Sequence, residues 1–278
     1  MAEIILRCKG SIGIMVEAEV IRPDLFAGKK KEEIEELLVW QGPKPLPLSE
    51  FFDVDVSRAI PSDTRPEEAN ILIEGDVSRV KRIGQGMKDG RIEICGCAGM
   101  HLGAEMAGGS ILVRGDAGSW AGMGMLGGML HILGNGADHV GSAYRGSWRG
   151  MTGGEIQIGG SARSQLGGGL AGGRILVAGN VENFCGIRQS GGLILVKGSA
   201  LRGVGTEMNG GTIAVCKAIK QFSPGFVETS REENVLLGEV QLEGWFGKFT
   251  GDYALGKNPK GRLYCQGGLE DAGNAQFR

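Results

Sequence analysis

Residues 91–134 read RIEICGCAGMHLGAEMAGGSILVRGDAGSWAGMGMLGGMLHILG, and within them a Gly-Gly pair closes at Gly109 and again at Gly128, 19 residues on. Each pair opens a short aliphatic run, SILVR from Ser110 and MLHIL from Met129. Working outward, single or paired glycines close the same unit at Gly90, Gly109, Gly128, Gly154, Gly173, Gly192 and Gly211, every spacing being 19 except one of 26. The runs that follow begin at Arg91, Ser110, Met129, Glu155, Arg174, Leu193 and Thr212, and an earlier copy begins at Asn70. In every run the second and fourth residues are aliphatic, as in Ile71/Ile73, Ile92/Ile94, Ile111/Val113, Leu130/Ile132, Ile156/Ile158, Ile175/Val177, Ile194/Val196 and Ile213/Val215. Period-two alternation of this kind marks a strand with one buried face.

Another glycine follows each run, at Gly75, Gly96, Gly115, Gly134, Gly160, Gly179 and Gly198, and a third lies seven residues beyond, at Gly103, Gly122, Gly141, Gly167, Gly186 and Gly205. An apolar residue usually precedes the third glycine, and Met87, Met106, Met125, Met151, Leu170, Gln189 or Met208 stands three before the closing one. One period therefore offers two strand positions and two further inward positions. Nineteen residues are too few for a strand and a crossover helix but suit short strands joined by tight bends, so like residues should stack on like at ~4.8 Å. The expected fold is all-β: a parallel β-helix of about seven 19-residue turns over residues 70–216, with small caps at 1–69 and 217–278. The first cap should carry a short amphipathic helix in KKKEEIEELLVW at 29–40 and cover the open end of the coil, and the second should fray after Gly267.

Composition narrows the function. Glycine accounts for 52 of 278 residues, well over twice the usual ~7%. It lacks the every-third-residue spacing of collagen, and 41% apolar content excludes a disordered chain. A net charge of -2 with scattered Lys and Arg gives no footprint for nucleic acid. Apolar runs stop well short of the ~18 residues a membrane helix needs. Glu3, Arg7 and Lys9 interrupt any signal-peptide core, which points to a cytoplasmic chain.

No catalytic, cofactor-binding or metal site emerges. The six cysteines, Cys8, Cys95, Cys97, Cys185, Cys216 and Cys265, include no CxxC pair and read as free thiols. The literal G-x-G-x-x-G at Gly122, Gly124 and Gly127 opens a strand rather than a helix, unlike a dinucleotide fingerprint. The methionine column fits core filling by flexible thioethers. His101, Trp120, His139, Gln165 and Phe184 share one repeat position and should form a partly exposed vertical stack, its two histidines about 9–10 Å apart and too far for one zinc. Glu93, Glu105, Asp116, Asp138, Glu155, Glu182 and Glu207 mostly fall at different positions, so a β-helix enzyme with clustered carboxylates is disfavoured. The one interruption adds seven residues within SAYRGSWR at 142–149, which holds Tyr144, Arg145, Trp148 and Arg149, the composition of a partner-binding loop.

These residues carry a family resemblance. The G-x6-G-x5-GG spacing through 70–216, VEAEVIRPDLFAGKKKEEIEEL at 16–37 and FTGDYALGKNPKGRLYC at 249–265 together resemble the C subunit of formylmethanofuran dehydrogenase. The glycine repeat alone also resembles the C-terminal domain of the glutamate synthase large subunit. The resemblance implies a right-handed parallel β-helix serving as a non-catalytic subunit. It implies partner subunits holding the chemistry: an amidohydrolase-like A subunit with a dinuclear metal site, molybdenum or tungsten pterin B and D subunits, and iron–sulfur clusters. Such a complex reduces CO2 and attaches the formyl group to methanofuran in methanogenesis. A bacterial formyltransferase/hydrolase complex acting on similar C1 carriers has a similar C subunit and stands as the alternative.

Overall fold

The aliphatic runs are strands where the alternation requires them. The computed structural model describes residues 2–56 and 63–267. Along the chain the strands of the main sheet are β1 (Ala2–Cys8), β2 (Phe52–Val56), β3 (Ala69–Glu74), β4 (Arg91–Ile94), β5 (Ser110–Val113), β6 (Met129–Ile132) and β7 (Glu155–Ile158). They continue as β8 (Arg174–Val177), β9 (Leu193–Val196), β10 (Thr212–Val215), β11 (Val227–Glu233), β12 (Trp245–Gly251) and β13 (Gly261–Cys265). All thirteen join one sheet in the order β11-β12-β13-β10-β9-β8-β7-β6-β5-β4-β3-β1-β2, parallel from β1 to β13 except at the flanking pairs. The chain is mostly β with very little helix.

Register is fixed by the repeat. Ile92 faces Ile111, Ile111 faces Leu130, Leu130 faces Ile156 and so on, each aliphatic residue meeting its counterpart one period away. Slipping by one residue would turn every one of these side chains outward. A second parallel track runs Val77, Ala98, Ala117, Gly136, Ala162, Val181 and Ala200 through single bridges. In a third, the amide of Gly103 donates to Ile83 O, Gly122 to Leu102 O, Gly141 to Ala121 O and Gly167 to Val140 O, all within 2.7–2.8 Å. A fourth joins Ala107 to Met87, Leu126 to Met106 and Thr152 to Met125. Each period thus places backbone donors on both its neighbours, Gly122 on Leu102 O behind it and Trp120 on Asp138 O ahead of it, as buried amides require.

The interior holds five inward positions per period, against the four expected from the repeat. The fifth is the small-residue track from Val77 to Ala200, whose side chains are almost fully buried. Alanine and glycine carry too little apolar signal to mark a core position, and Ala98 and Ala117 sit inside G-x-A-G turns. The methionine column is fully buried from Met87 through Met151 to Met208, as core filling requires. Gln189 interrupts it, fully buried, with its Nε2 donating to Gly191 O at 2.9 Å.

Both flanks add to the stack. β1 pairs in parallel with β3 and places Ile4 and Leu6 beneath Ile71 and Ile73, so the N-terminal segment supplies a further rung. At the other end β13 pairs in parallel with β10, and a separate apolar cluster of Leu195, Ala214, Phe246 and Tyr264 covers the outer face of the sheet there. The helix expected over 29–40 is shorter. Pro23–Phe26 and Lys31–Glu35 form two brief helical turns, and Leu38–Gln41 is a strand hairpinned to Lys44–Pro47. Leu38, Val39 and Trp40 alternate exposed, buried, exposed, and Gly42 at φ +60° closes the turn, so strand-forming residues override the helical pattern that the preceding glutamates set up. The expected fraying after Gly267 falls outside the described residues.

Candidate functional site

The stacked column expected at His101, Trp120, His139, Gln165 and Phe184 is present, and every member has a positive φ, between 59° and 63°. Arg82, one period earlier at φ +67°, belongs to it as well. These side chains leave the repeat at a left-handed backbone position, and the flat groups among them lie face to face. The rings of His101 and Trp120 are 5.4 Å apart and those of Trp120 and His139 are 4.7 Å apart and nearly parallel. Trp120 thus separates the two histidines. Burial, reinforced by Arg82 and Lys81, pushes the His101 pKa down, and burial likewise lowers His139. Glu17 is held below the usual carboxylate range by its 2.9 Å bond from Lys81 Nζ.

The insertion lies beside this column. Its base continues the stack, with Ala143 N donating to Gly168 O and Gly150 N to Gly169 O, both at 2.8 Å, and the Ser142 hydroxyl donating to Gln165 O at 2.7 Å. Its tip stands out, leaving Tyr144 62% and Trp148 72% exposed. The Arg188 guanidinium lies 4.4 Å over the Trp148 ring while donating to Glu207 at 2.7 Å, and Arg145 sits 5.8 Å over Trp120. The loop and the column enclose a cavity of about 370 Å³. The spacing break identifies the loop in the sequence, but Arg188 comes from a later period and carries no signal there.

A larger groove of about 560 Å³ runs along the small-residue track. One wall is a ladder that the sequence does not announce. Asp116 Oδ1 accepts from Asn135 N, Asn135 Oδ1 from Ser161 N, Ser161 Oγ from Asn180 N and Asn180 Oδ1 from Ser199 N, at 2.6–3.0 Å. Asp, Asn and Ser alternate at the position, so no single residue type marks it.

The acidic residues of the repeat are spread over separate contacts. Glu93 pairs with Arg114, Glu155 with Arg174, Glu207 with Arg188, and Asp138 and Glu182 both approach Arg163 at 3.9 Å. Among the described residues no group of three or more His, Cys, Asp or Glu side chains is arranged to hold a metal ion, and all six cysteines are free thiols. Cys185, enclosed in the core, has its thiol pushed up to about 12. Gly122 and Gly124 are turn residues at φ +65° and +61° leading into β6, the context opposite to a dinucleotide-binding helix. No helix among the described residues is long and apolar enough to cross a membrane.

Fold and surface together define a glycine-repeat protein with a filled interior, in which one insertion exposes Tyr144 and Trp148 beside Arg145 and Arg149. No family model matches the chain. It is 71% identical over 264 residues, covering 95% of this chain and 86% of the relative, to the C subunit of molybdenum-containing formylmethanofuran dehydrogenase 1 from Methanosarcina barkeri. The C subunit of tungsten-containing formylmethanofuran dehydrogenase 2 from Methanothermobacter wolfeii is 42% identical over 104 residues, 37% of either chain. In the crystal structure of the formyltransferase/hydrolase complex from Methylorubrum extorquens with methylofuran, one chain superposes with a TM-score of 0.80 at 27% identity, covering 94% of this chain and 98% of that one. This chain belongs to the family of formylmethanofuran dehydrogenase C subunits.

Proposed function

We propose that the chain is a structural, non-catalytic subunit of a cytoplasmic formylmethanofuran dehydrogenase complex, and that its repeat is a right-handed parallel β-helix of about seven turns at 70–216 capped by residues 1–69 and 217–278. Larger subunits seat on the outside of this coil. They carry the molybdenum or tungsten pterin, the iron–sulfur clusters and the dinuclear metal site with which the complex reduces CO2 and formylates methanofuran. The observation that carries the reading is the filled interior: Met106, Met125, Met151, Ile111, Leu130 and Ile156 are at most 1% exposed, so what the coil offers a partner is its outer surface. A column packed to this density is rigid and transmits position from one docking face to another.

Anaerobic affinity purification of the tagged chain from its source, with metal analysis of the complex and of the isolated subunit, tests this. Recovery with molybdenum- or tungsten-bearing partners, the isolated chain being metal-free, supports it. Recovery with only a zinc-bearing hydrolase and a formyltransferase points to the second reading, a subunit of a formyltransferase/hydrolase complex, which the 0.80 superposition supports. Recovery alone, with hydrolytic activity of its own, overturns both.

A further inference from the structure

The insertion at 142–149 concentrates groups that the coil itself does not use. Its base is locked into the stack by the backbone bonds of Ala143 and Gly150, while its tip meets later and earlier periods through the ring contacts of Trp148 with Arg188 and of Arg145 with Trp120. Tyr144 and Trp148 nevertheless stand in solvent, and Trp148 is held in place by Arg188 at 4.4 Å. Arg145 and Arg149 have no carboxylate partner among the described residues, whereas Arg188 already has Glu207. The cavity beneath the loop is lined by Trp120, His139, Tyr144, Arg145, Trp148 and Arg188 among others, and no Asp or Glu lines it. Burying unpaired guanidinium groups is costly unless carboxylates meet them, and tryptophan, tyrosine and arginine are the side chains that anchor interfaces.

We propose that this pocket and the loop above it receive an acidic segment of another subunit of the complex, with Asp or Glu carboxylates against Arg145 in the pocket and Arg149 on the loop and an adjoining apolar side chain on Tyr144 and Trp148. The inference rests on the chain being a subunit of the assembled enzyme. Charge selects the occupant: a basic or purely apolar segment would leave unpaired both Arg145 in the lining and Arg149, which follows Trp148 in the loop. Trp148, fixed by its stack on Arg188, loses little side-chain freedom on docking, which favours a preformed contact over one ordered on binding.

The test uses the tagged full-length chain produced with the other subunits of its complex, comparing the wild type with R145E/R149E and with W148A. Each variant chain should keep the wild-type circular dichroism and melting, because the tip lies outside the stacked rungs. Recovery of the partner subunits should fall by about ten-fold or more in R145E/R149E and in W148A, and the wild-type recovery should weaken with salt. Hydrogen exchange on the wild type supplies a readout independent of the variants: the amides of residues 144–149 should be protected in the complex and not in the free chain. Normal assembly of both variants with unchanged exchange at 144–149 overturns the proposal while leaving the subunit role intact, as does a pocket that takes up free citrate or succinate but no partner. Failure of the wild type to recover any subunit overturns the subunit role and this proposal together.

Discussion

His101 and His139 show what the repeat does to single residues. Each occupies a left-handed backbone position that costs an ordinary L-residue about 1–2 kcal/mol, and each recovers that cost by laying its ring against Trp120. The partial burial that permits stacking lowers both pKa values, so the folded chain resists protons that the unfolded chain accepts. Stability from this source is complete above histidine's ordinary pKa of about 6.5 and is lost as the pH falls through the depressed folded values. Urea unfolding at about pH 7.5 and 5.5 should therefore show a loss on acidification, and the H101Q/H139Q variant should show a smaller one; an equal loss would place the effect on other groups. Glycine is tested by contrast. At Gly109, φ +73°, a Cβ would sit 2.6 Å from Gly90 O and from the Met87 methyl, whereas at Gly146, φ +84°, nothing lies within 4 Å. Gly109→Ala should cost about 2–4 kcal/mol and Gly146→Ala about 1 kcal/mol in the same assay.

At the scale of elements, the polar ladder beside the small-residue track has a measurable weight. Asn180 Oδ1 accepts the Ser199 amide at 2.8 Å, so Asn180→Ala removes one ladder bond and should cost about 1 kcal/mol, while Asn180→Ser, which mimics Ser161 one period earlier, should cost less. Denaturant midpoints measured on both variants separate a hydrogen bond from a packing effect, since equal costs would mean that the amide's bulk and not its oxygen matters. This ladder, the alanine track and the shortened helix are the parts the sequence conceals. The strands are legible because Ile, Leu and Val recur at two fixed positions, and the register follows because each position repeats its own chemistry. Asp116, Asn135, Ser161 and Asn180 share a role without sharing a side chain, and Ala98, Ala117 and Ala162 are buried by geometry rather than by hydrophobicity. The loop of the candidate surface shows itself as a spacing of 26, but the cation that steadies Trp148 is found only once the periods are stacked.

For the whole molecule, the decisive property is that each period contacts chiefly the one before and the one after it, which makes the stack a one-dimensional array. Such an array tolerates the loss of a unit but not the loss of its phase. Deleting residues 110–128 removes one period, joins Gly109 to Met129, and lets Ile92 and Ile94 meet Leu130 and Ile132 in the register that Ile111 and Val113 now occupy. Glu93 loses Arg114 but keeps Arg91, and Cys97 comes to stand before Asn135 in place of Asp116. Deleting residues 110–119 removes about half a period, so that Trp120, Ala121, Gly122 and Met123 fall where the strand Ser110–Val113 now lies and the columns no longer align. The full-period deletion should remain folded, with strand-type circular dichroism and a single cooperative melt at a reduced temperature, whereas the half-period deletion should lose cooperative melting. If both deletions unfolded alike, the stability of the stack would depend on particular contacts within that period and not on its repeating register. Survival of the full-period deletion alone would mean that the 19-residue phase, more than any one side chain, is what holds the flanks at a fixed separation.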